Sequence, residues 1–248
     1  VGWLVDRRPE LQAGRIEGLV HAEDRSLSVP HSQTPLAKPK LRGVLHQWAS
    51  VAALIAGVVL VSTAQTPRVA IAAGLFAGSL VALFTISASY HRINWSAAAQ
   101  ARMRRLDHST IFVLIAGTYT PIAMLGLPRN EGNSLLVAIW AAAVVGIMQS
   151  VFWVDAPRAL TAGLAVAVGW MIVPYFGEAH RSLTPAEFFL IIAGGVTYTL
   201  GAVAYATKRP DPHPAVFGYH EVFHASTLVG GALHFAAVTL LAHGATLR

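Results

Sequence analysis

VAIAAGLFAGSLVALFTISASY, residues Val69–Tyr90, runs for twenty-two positions without a charged side chain. A helix needs about 20 apolar residues to cross the hydrocarbon core of a bilayer. Working outward, six further runs have the same character, at 44–65, 107–127, 134–154, 158–177, 186–206 and 217–243. Short polar breaks separate them, such as Thr66-Pro67-Arg68, Asp155–Pro157 and the basic stretch 91–106. None alternates strictly with period two, which disfavours a β-barrel. The expected fold is all-α: a polytopic bundle of seven transmembrane helices over residues 43–248, integral to the cell (plasma) membrane.

Composition agrees. The chain has 248 residues, is 54% hydrophobic and only 12% charged, with a mean hydropathy of +0.54. A soluble domain carries about 25% charged residues, so this chain lacks the charge to coat a water-exposed surface. That argues against a soluble enzyme, a disordered protein and a nucleic-acid module, despite the net charge of +6. The excess Lys and Arg reads instead as loop charge that orients a membrane protein. Cysteine is absent, which excludes disulfides, thiolate catalysis and Cys-based zinc fingers.

Residues 1–42 differ from the rest. They hold seven of the eighteen basic residues and five of the twelve acids. They contain no apolar run of signal-peptide length, and Pro30, Pro35 and Pro39 break any helix near their end. They read as a solvated, poorly ordered cytoplasmic tail with one short amphipathic piece near Leu11–Val20. With the N-terminus inside, and even leaving out Arg7, Arg8, Arg15 and Arg25 of the distal tail, ten Lys/Arg fall in inner segments, from Lys38, Lys40 and Arg42 through to Lys208 and Arg209. Four fall outside: Arg68, Arg129, Arg181 and Arg248. That asymmetry places the N-terminus in and the C-terminus out. Gly74 and Gly78 form a GxxxG, and Gly194, Gly195 and Gly201 crowd the sixth run; such residues let membrane helices approach closely.

Ionisable groups inside a membrane are costly and mark functional sites. Three clusters stand out: Ser87-x-x-Tyr90-His91, Leu106-Asp107-His108-Ser109, and Tyr219-His220-Glu221-Val222-Phe223-His224. One loop joins the second and third helices, and four crossings separate the start of the third from the start of the seventh. All three clusters therefore share one leaflet, and the basic loops make it the cytoplasmic one. Residues four apart lie on one helical face, which pairs Ser87 with His91 and His220 with His224. Two imidazoles at that spacing can bind tetrahedral Zn²⁺, with His91 as third ligand and water in the open position. Asp107 is placed to hold and deprotonate that water, and Ser87 to hydrogen-bond it or a ligand.

Simpler readings compete. Eleven histidines yield roughly half an i,i+4 pair by chance, so the pair alone is weak. Asp107 also suits a helix N-cap. His234 lies about 15 Å deeper than His224 and reads as an interhelical hydrogen-bonder. His46 and His108 sit near the right depth without a paired spacing. His21, His31, His180, His213 and His243 look like tail, loop or terminus residues. His220-Glu221-Val222-Phe223-His224 also matches the H-E-x-x-H signature of metalloproteases, which would make Glu221 the base. Against that reading, the motif lies in the last helix and no Asp follows it, so Asp107 would have to serve from upstream.

A longer set of motifs resembles the hemolysin III family, the bacterial branch of the progestin and adiponectin receptor superfamily. It comprises Ser87-x-x-x-His91, Arg105-Leu106-Asp107-His108-Ser109 running to Gly117-Thr118-Tyr119-Thr120-Pro121, Gly169-Trp170, Gly194-Gly195-x-x-Tyr198-x-x-Gly201 and His220-x-x-x-His224. The resemblance covers roughly residues 42–243. It implies seven helices with a cytoplasmic N-terminus, and zinc on His91, His220 and His224. It further implies Asp107 contacting the water on the metal, with Ser87 beside it. It requires no acid between the two histidines, which makes the match through Glu221 read as chance. It points to hydrolysis of lipid amides, with a membrane lipid as substrate or ligand. Two alternatives remain: a receptor or sensor in which zinc staples the second and seventh helices, and a cytolysin. Pro121 is expected to kink the third helix.

Overall fold

The computed structural model describes residues 38–247, and the proposed tail piece at Leu11–Val20 lies outside them. Seven helical segments are long and apolar enough to cross a membrane. The helices are α1 (Val44–Ser62), α2 (Pro67–Arg92), α3 (Ala97–Pro121), α4 (Arg129–Phe152), α5 (Arg158–Gly169), α6 (Phe176–Ser182), α7 (Pro185–Thr207) and α8 (Tyr219–Leu247). A π turn, Ile122–Gly126, extends α3 beyond Pro121, and α5 and α6 together form the fifth span, joined through a 3₁₀ turn at Val173–Tyr175. Among the described residues there is no strand, only a single bridge between His213 and Phe217.

Local chemistry sets the ends. Thr66 caps α2 by accepting from the Val69 amide at 3.3 Å, with Pro67 in the first turn. Thr184 and Glu187 form a reciprocal capping box on α7, satisfying two amides that a helix start leaves without partners. Ser96 caps α3 by accepting from Ala99 N. That cap corrects two expectations. The third helix begins ten residues before its apolar run, so Arg102, Arg104 and Arg105 lie on helix rather than in a loop. Asp107 is therefore an internal helical residue and caps nothing.

The third span is the central one: 72% of its most apolar window is buried, against 11–50% for the other six. One apolar cluster surrounds Phe112, Ile122, Leu135, Ile139 and Ile172; a second surrounds Phe76, Leu80, Phe84, Leu114 and Val238. α3 belongs to both. Elsewhere large apolar side chains face outward, with Phe152 80%, Val137 72% and Phe189 69% exposed. Apolar faces this extensive are covered by lipid. Buried polar residues, including His46, Ser87, Glu221, His224 and His234, lie inside the bundle. The chain is a multi-pass integral membrane protein.

Close helix approaches occur where small residues meet bulk. A Cβ on Gly146 would collide with the Phe112 ring, and one on Gly117 with Ser79. The GxxxG of α2 is not such a place. A Cβ on Gly78 would meet nothing within 4 Å, and one on Gly74 only Val61 at 3.9 Å. The α2 face that packs carries Ala73, Phe76, Ala77 and Leu80, and Ala77 is the residue against which Gly57 of α1 sits.

Candidate metal centre

Ser87 and His91 occupy the last turns of α2, and His220 and His224 the first turns of α8. Each of the three imidazoles offers a nitrogen within 4.8 Å of the other two. The Nε2 atoms of His91 and His220 are 3.1 Å apart. Ring centroids lie 4.7 Å apart for His91–His220, 5.1 Å for His91–His224 and 4.5 Å for His220–His224. His224 is 2% exposed, and its Nδ1 has no hydrogen-bond partner. Asp107 Oδ2 stands 4.0 Å from His91 Nε2, and the Ser87 hydroxyl is within hydrogen-bonding reach of that carboxyl.

The donor set suits a divalent metal. Zn–N bonds are about 2.0–2.1 Å long, so nitrogens at two corners of a zinc tetrahedron lie about 3.4 Å apart. The observed 3.1 Å spacing needs little adjustment to meet that. Two neutral imidazoles can share one hydrogen bond, but that leaves the third with no role in the triangle. A cation engages all three. The cluster of His91, His220 and His224 can therefore bind a metal ion.

Sequence reasoning underrated one neighbour. His46, near the start of α1, stacks on His224 with centroids 3.9 Å apart and planes 15° from parallel. Its lack of a paired spacing hides it in the sequence, although the crossing parity that joins the other clusters applies to it equally. His108 lines the same cavity as Asp107. His234 departs from expectation: its Nδ1 bonds Gly230 O of its own helix at 2.9 Å, and its interhelical contact is a stack on Tyr198 at 5.4 Å. His180, His213 and His243 are exposed and outside the cluster; His213 lies in a loop, but His180 and His243 lie on α6 and α8 rather than in loops.

Glu221 is fully buried between the two histidines of α8. Its Oε1 pairs with Arg42 Nε at 2.5 Å, and its Oε2 accepts from Gly218 N at 2.9 Å. Both oxygens are thus engaged by the segment before α1 and the turn into α8. Lys40 N and Leu41 N reinforce the junction by donating to Ala215 O and Val216 O. Arg158 closes the rim from α5, reaching the Tyr219 hydroxyl at 3.2 Å and lying over the Tyr205 ring.

A cavity of about 160 Å³ leads inward from this cluster between α3, α5, α7 and α8, with Ser87, Asp107, His220 and His224 at one end. Its walls beyond are mostly apolar, as in sites that take small amphiphiles.

The family model described as Haemolysin-III related matches residues 35–235. The chain belongs to that family. Among haemolysin-III relatives it is 32% identical to "Hemolysin-3 homolog" of Bacillus subtilis (strain 168), over 66% of this chain and 74% of the relative. It is 30% identical to "Hemolysin-3" of Bacillus cereus, over 76% of this chain and 83% of that protein. A plant protein, "Heptahelical transmembrane protein ADIPOR2" of Oryza sativa subsp. japonica, is 28% identical over 63% of this chain and 75% of its own length. These likenesses agree with the resemblance to the progestin and adiponectin receptor superfamily.

Proposed function

We propose that this haemolysin-III family member is a zinc-dependent hydrolase of lipid amide or ester bonds, working at the cytoplasmic face of the membrane. One observation carries the reading: three imidazoles from α2 and α8 converge beside the Asp107 carboxyl at the end of an apolar cavity. The inner location follows from the ten-to-four bias of Lys and Arg under the positive-inside rule.

His91, His220 and His224 would hold the ion. When bound, zinc polarises a carbonyl and lowers the pKa of water towards about 7. Asp107 Oδ2 takes a proton from the water whose oxygen adds to the lipid carbonyl, then returns it to the departing nitrogen or oxygen. Ser87 fixes the carboxyl for that transfer. The apolar walls take the acyl chain and exclude bulk water. Glu221, held by Arg42 and the Gly218 amide, is not available as the base, which removes the main support for an intramembrane protease.

The test is purified protein assayed for bound metal and against a lipid extract. The hydrolase predicts about one zinc per chain and release of fatty acid, with Asp107→Asn abolishing release while metal is retained. Zinc without hydrolysis of any amide or ester would leave a receptor or sensor. That second reading draws on the placement of the cluster, where a metal would staple α2 to α8; chelation should then lower thermal stability. The names of the Bacillus relatives raise lysis as well. Seven spans need a bilayer around them, so a direct lytic role calls for lysis by purified protein that persists with all three histidines replaced.

A further inference from the structure

The face of α5 that lines the cavity continues beyond the cavity's mouth. Thr161, Ala162, Ala165, Val166 and Gly169 line the wall, and residues three and four apart share one helical face. Arg158 extends that stripe by one turn, about 5 Å further out. Its side chain is held in place. Nη1 donates to the Tyr219 hydroxyl at 3.2 Å, and the guanidinium carbon lies 5.9 Å from the centre of the Tyr205 ring and 6.0 Å from that of Tyr219. Those rings are in turn 5.6 and 6.3 Å from the ring of His220. Arg158 therefore stands within two ring spacings of the imidazole cluster.

What Arg158 lacks is a counter-charge. At the same end, Arg42 pairs with Glu221 and Arg104 with Asp155. Among the described residues, no carboxylate comes within ion-pairing distance of Arg158, and no other cation lies over an aromatic ring. A guanidinium whose plane is fixed in advance suits two-pronged recognition of an oxyanion. Arg158 is exposed, so an anion in the head-group layer can reach it.

We propose that Arg158, steadied by Tyr205 and Tyr219, binds the phosphoryl group of a lipid whose acyl bond lies at the imidazole cluster. Nη1 is turned to the Tyr219 hydroxyl, which leaves the Nη2 and Nε hydrogens for two phosphate oxygens. In a phosphorylated acyl ethanolamine or acyl glycerol, about five bonds of about 1.5 Å separate phosphorus from the acyl carbonyl carbon. Extended, they reach about 6 Å, comparable with the 6.3 Å between the Tyr219 and His220 rings. The acyl chain then follows the apolar walls inward. A neutral lipid amide would fill those walls and leave Arg158 unused. The placing of the acyl bond rests on the functional reading above; the phosphate preference does not need turnover. A lipid head group and a free phosphate ester share the recognised group.

The experiment is equilibrium competition binding to the full-length chain, purified in a non-ionic detergent. It compares N-oleoylethanolamine with its phosphate monoester, and 1-oleoylglycerol with 1-oleoylglycerol 3-phosphate. Glycerol 3-phosphate and inorganic phosphate are the competitors without a chain. The Asp107→Asn variant is run in parallel so that cleavage cannot distort the result. Each phosphorylated lipid should bind about tenfold more tightly than its neutral partner. Arg158→Gln should erase that gain while leaving neutral-lipid affinity and metal content unchanged. Arg158→Lys, which keeps the charge and loses the fork, should restore only part of it. Arg102→Gln removes an equal charge from an exposed position on α3 and should leave the preference intact. Glycerol 3-phosphate or inorganic phosphate competing as well as the acylated phosphates would assign the group to a free phosphate and overturn the lipid. Equal affinities within each pair, a gain that survives Arg158→Gln, or an equal loss from Arg102→Gln would overturn the subsite and leave the metal end intact. Phosphate preference without cleavage of any lipid by the unsubstituted chain would overturn the hydrolase and leave the subsite intact. Failure of every lipid to bind would end both.

Discussion

The two ends of the bundle treat polar groups in opposite ways. At one end, partners are mostly close in sequence: Thr66 caps Val69, Thr184 and Glu187 cap each other, and Glu178 holds Arg181 and Ser182. Among the described residues at that end, Arg68, bonded to Met124 O, is the one that reaches far. At the other end, His46, His91, Asp107 and His224 arrive from four helices, and little local bonding satisfies them. Polar groups that close their own helix ends do structural work. Polar groups gathered from afar and left with free ring nitrogens are placed for something the chain itself does not supply.

The strongest way to break that contrast is to remove one imidazole. His91→Ala, His220→Ala or His224→Ala should each take bound metal from about one per chain to near zero by elemental analysis, since a site cut to two ligands has lost much of its chelate. Metal retained in all three would show that the gathering of rings is only packing. Asp107→Asn is next in size. Loss of a general base should lower lipid hydrolysis by about 10²–10⁴-fold, with metal content unchanged. A fall in metal content together with activity would make Asp107 a ligand instead.

The Arg42–Glu221 pair sharpens the contrast differently, because it is far-reaching and yet fully satisfied. It joins the segment before α1 to the turn between the two α8 histidines. Glu221→Gln strands a partly buried guanidinium, and Arg42→Gln strands a fully buried carboxylate. Breaking such a pair costs about 3–5 kcal/mol, read as a lowered unfolding temperature. Glu221→Gln combined with Arg42→Met should recover part of that loss. If Glu221→Gln left stability intact and abolished hydrolysis, the acid would be a base after all.

Much of this was legible in the sequence. Seven apolar runs dictate seven spans, because hydrocarbon leaves the backbone few alternatives to a helix. Crossing parity and i,i+4 spacing place the three imidazoles and Asp107 at one end, since both follow from geometry rather than packing. What stayed hidden depends on rotation about helix axes. The face of α2 bearing Gly74 and Gly78 looked like a contact, but packing of Phe76 and Leu80 turns it outward. His46 has no partner at helical spacing, so only the docking of α1 onto α8 brings it to His224. The basic stretch 91–106 read as a loop because charge masks helix; Ser96 and the alanines after it start α3 early.

The smallest effect belongs to the opposite end and is the control for the whole contrast. Thr184→Ala removes the acceptor for Glu187 N and half of the capping box. Lost caps cost about 0.5–2 kcal/mol, and here the value should fall in the upper part of that range. Glu187 is 3% exposed, so water cannot readily replace the lost bond. Its carboxylate still accepts from Thr184 N at 2.7 Å, a backbone contact that survives the substitution. The variant should therefore lose stability in a thermal melt while keeping its metal and its hydrolysis. A cap at one end that altered metal content at the other would mean that α7 and α8 transmit strain along their length, and the two ends could then no longer be treated as separate.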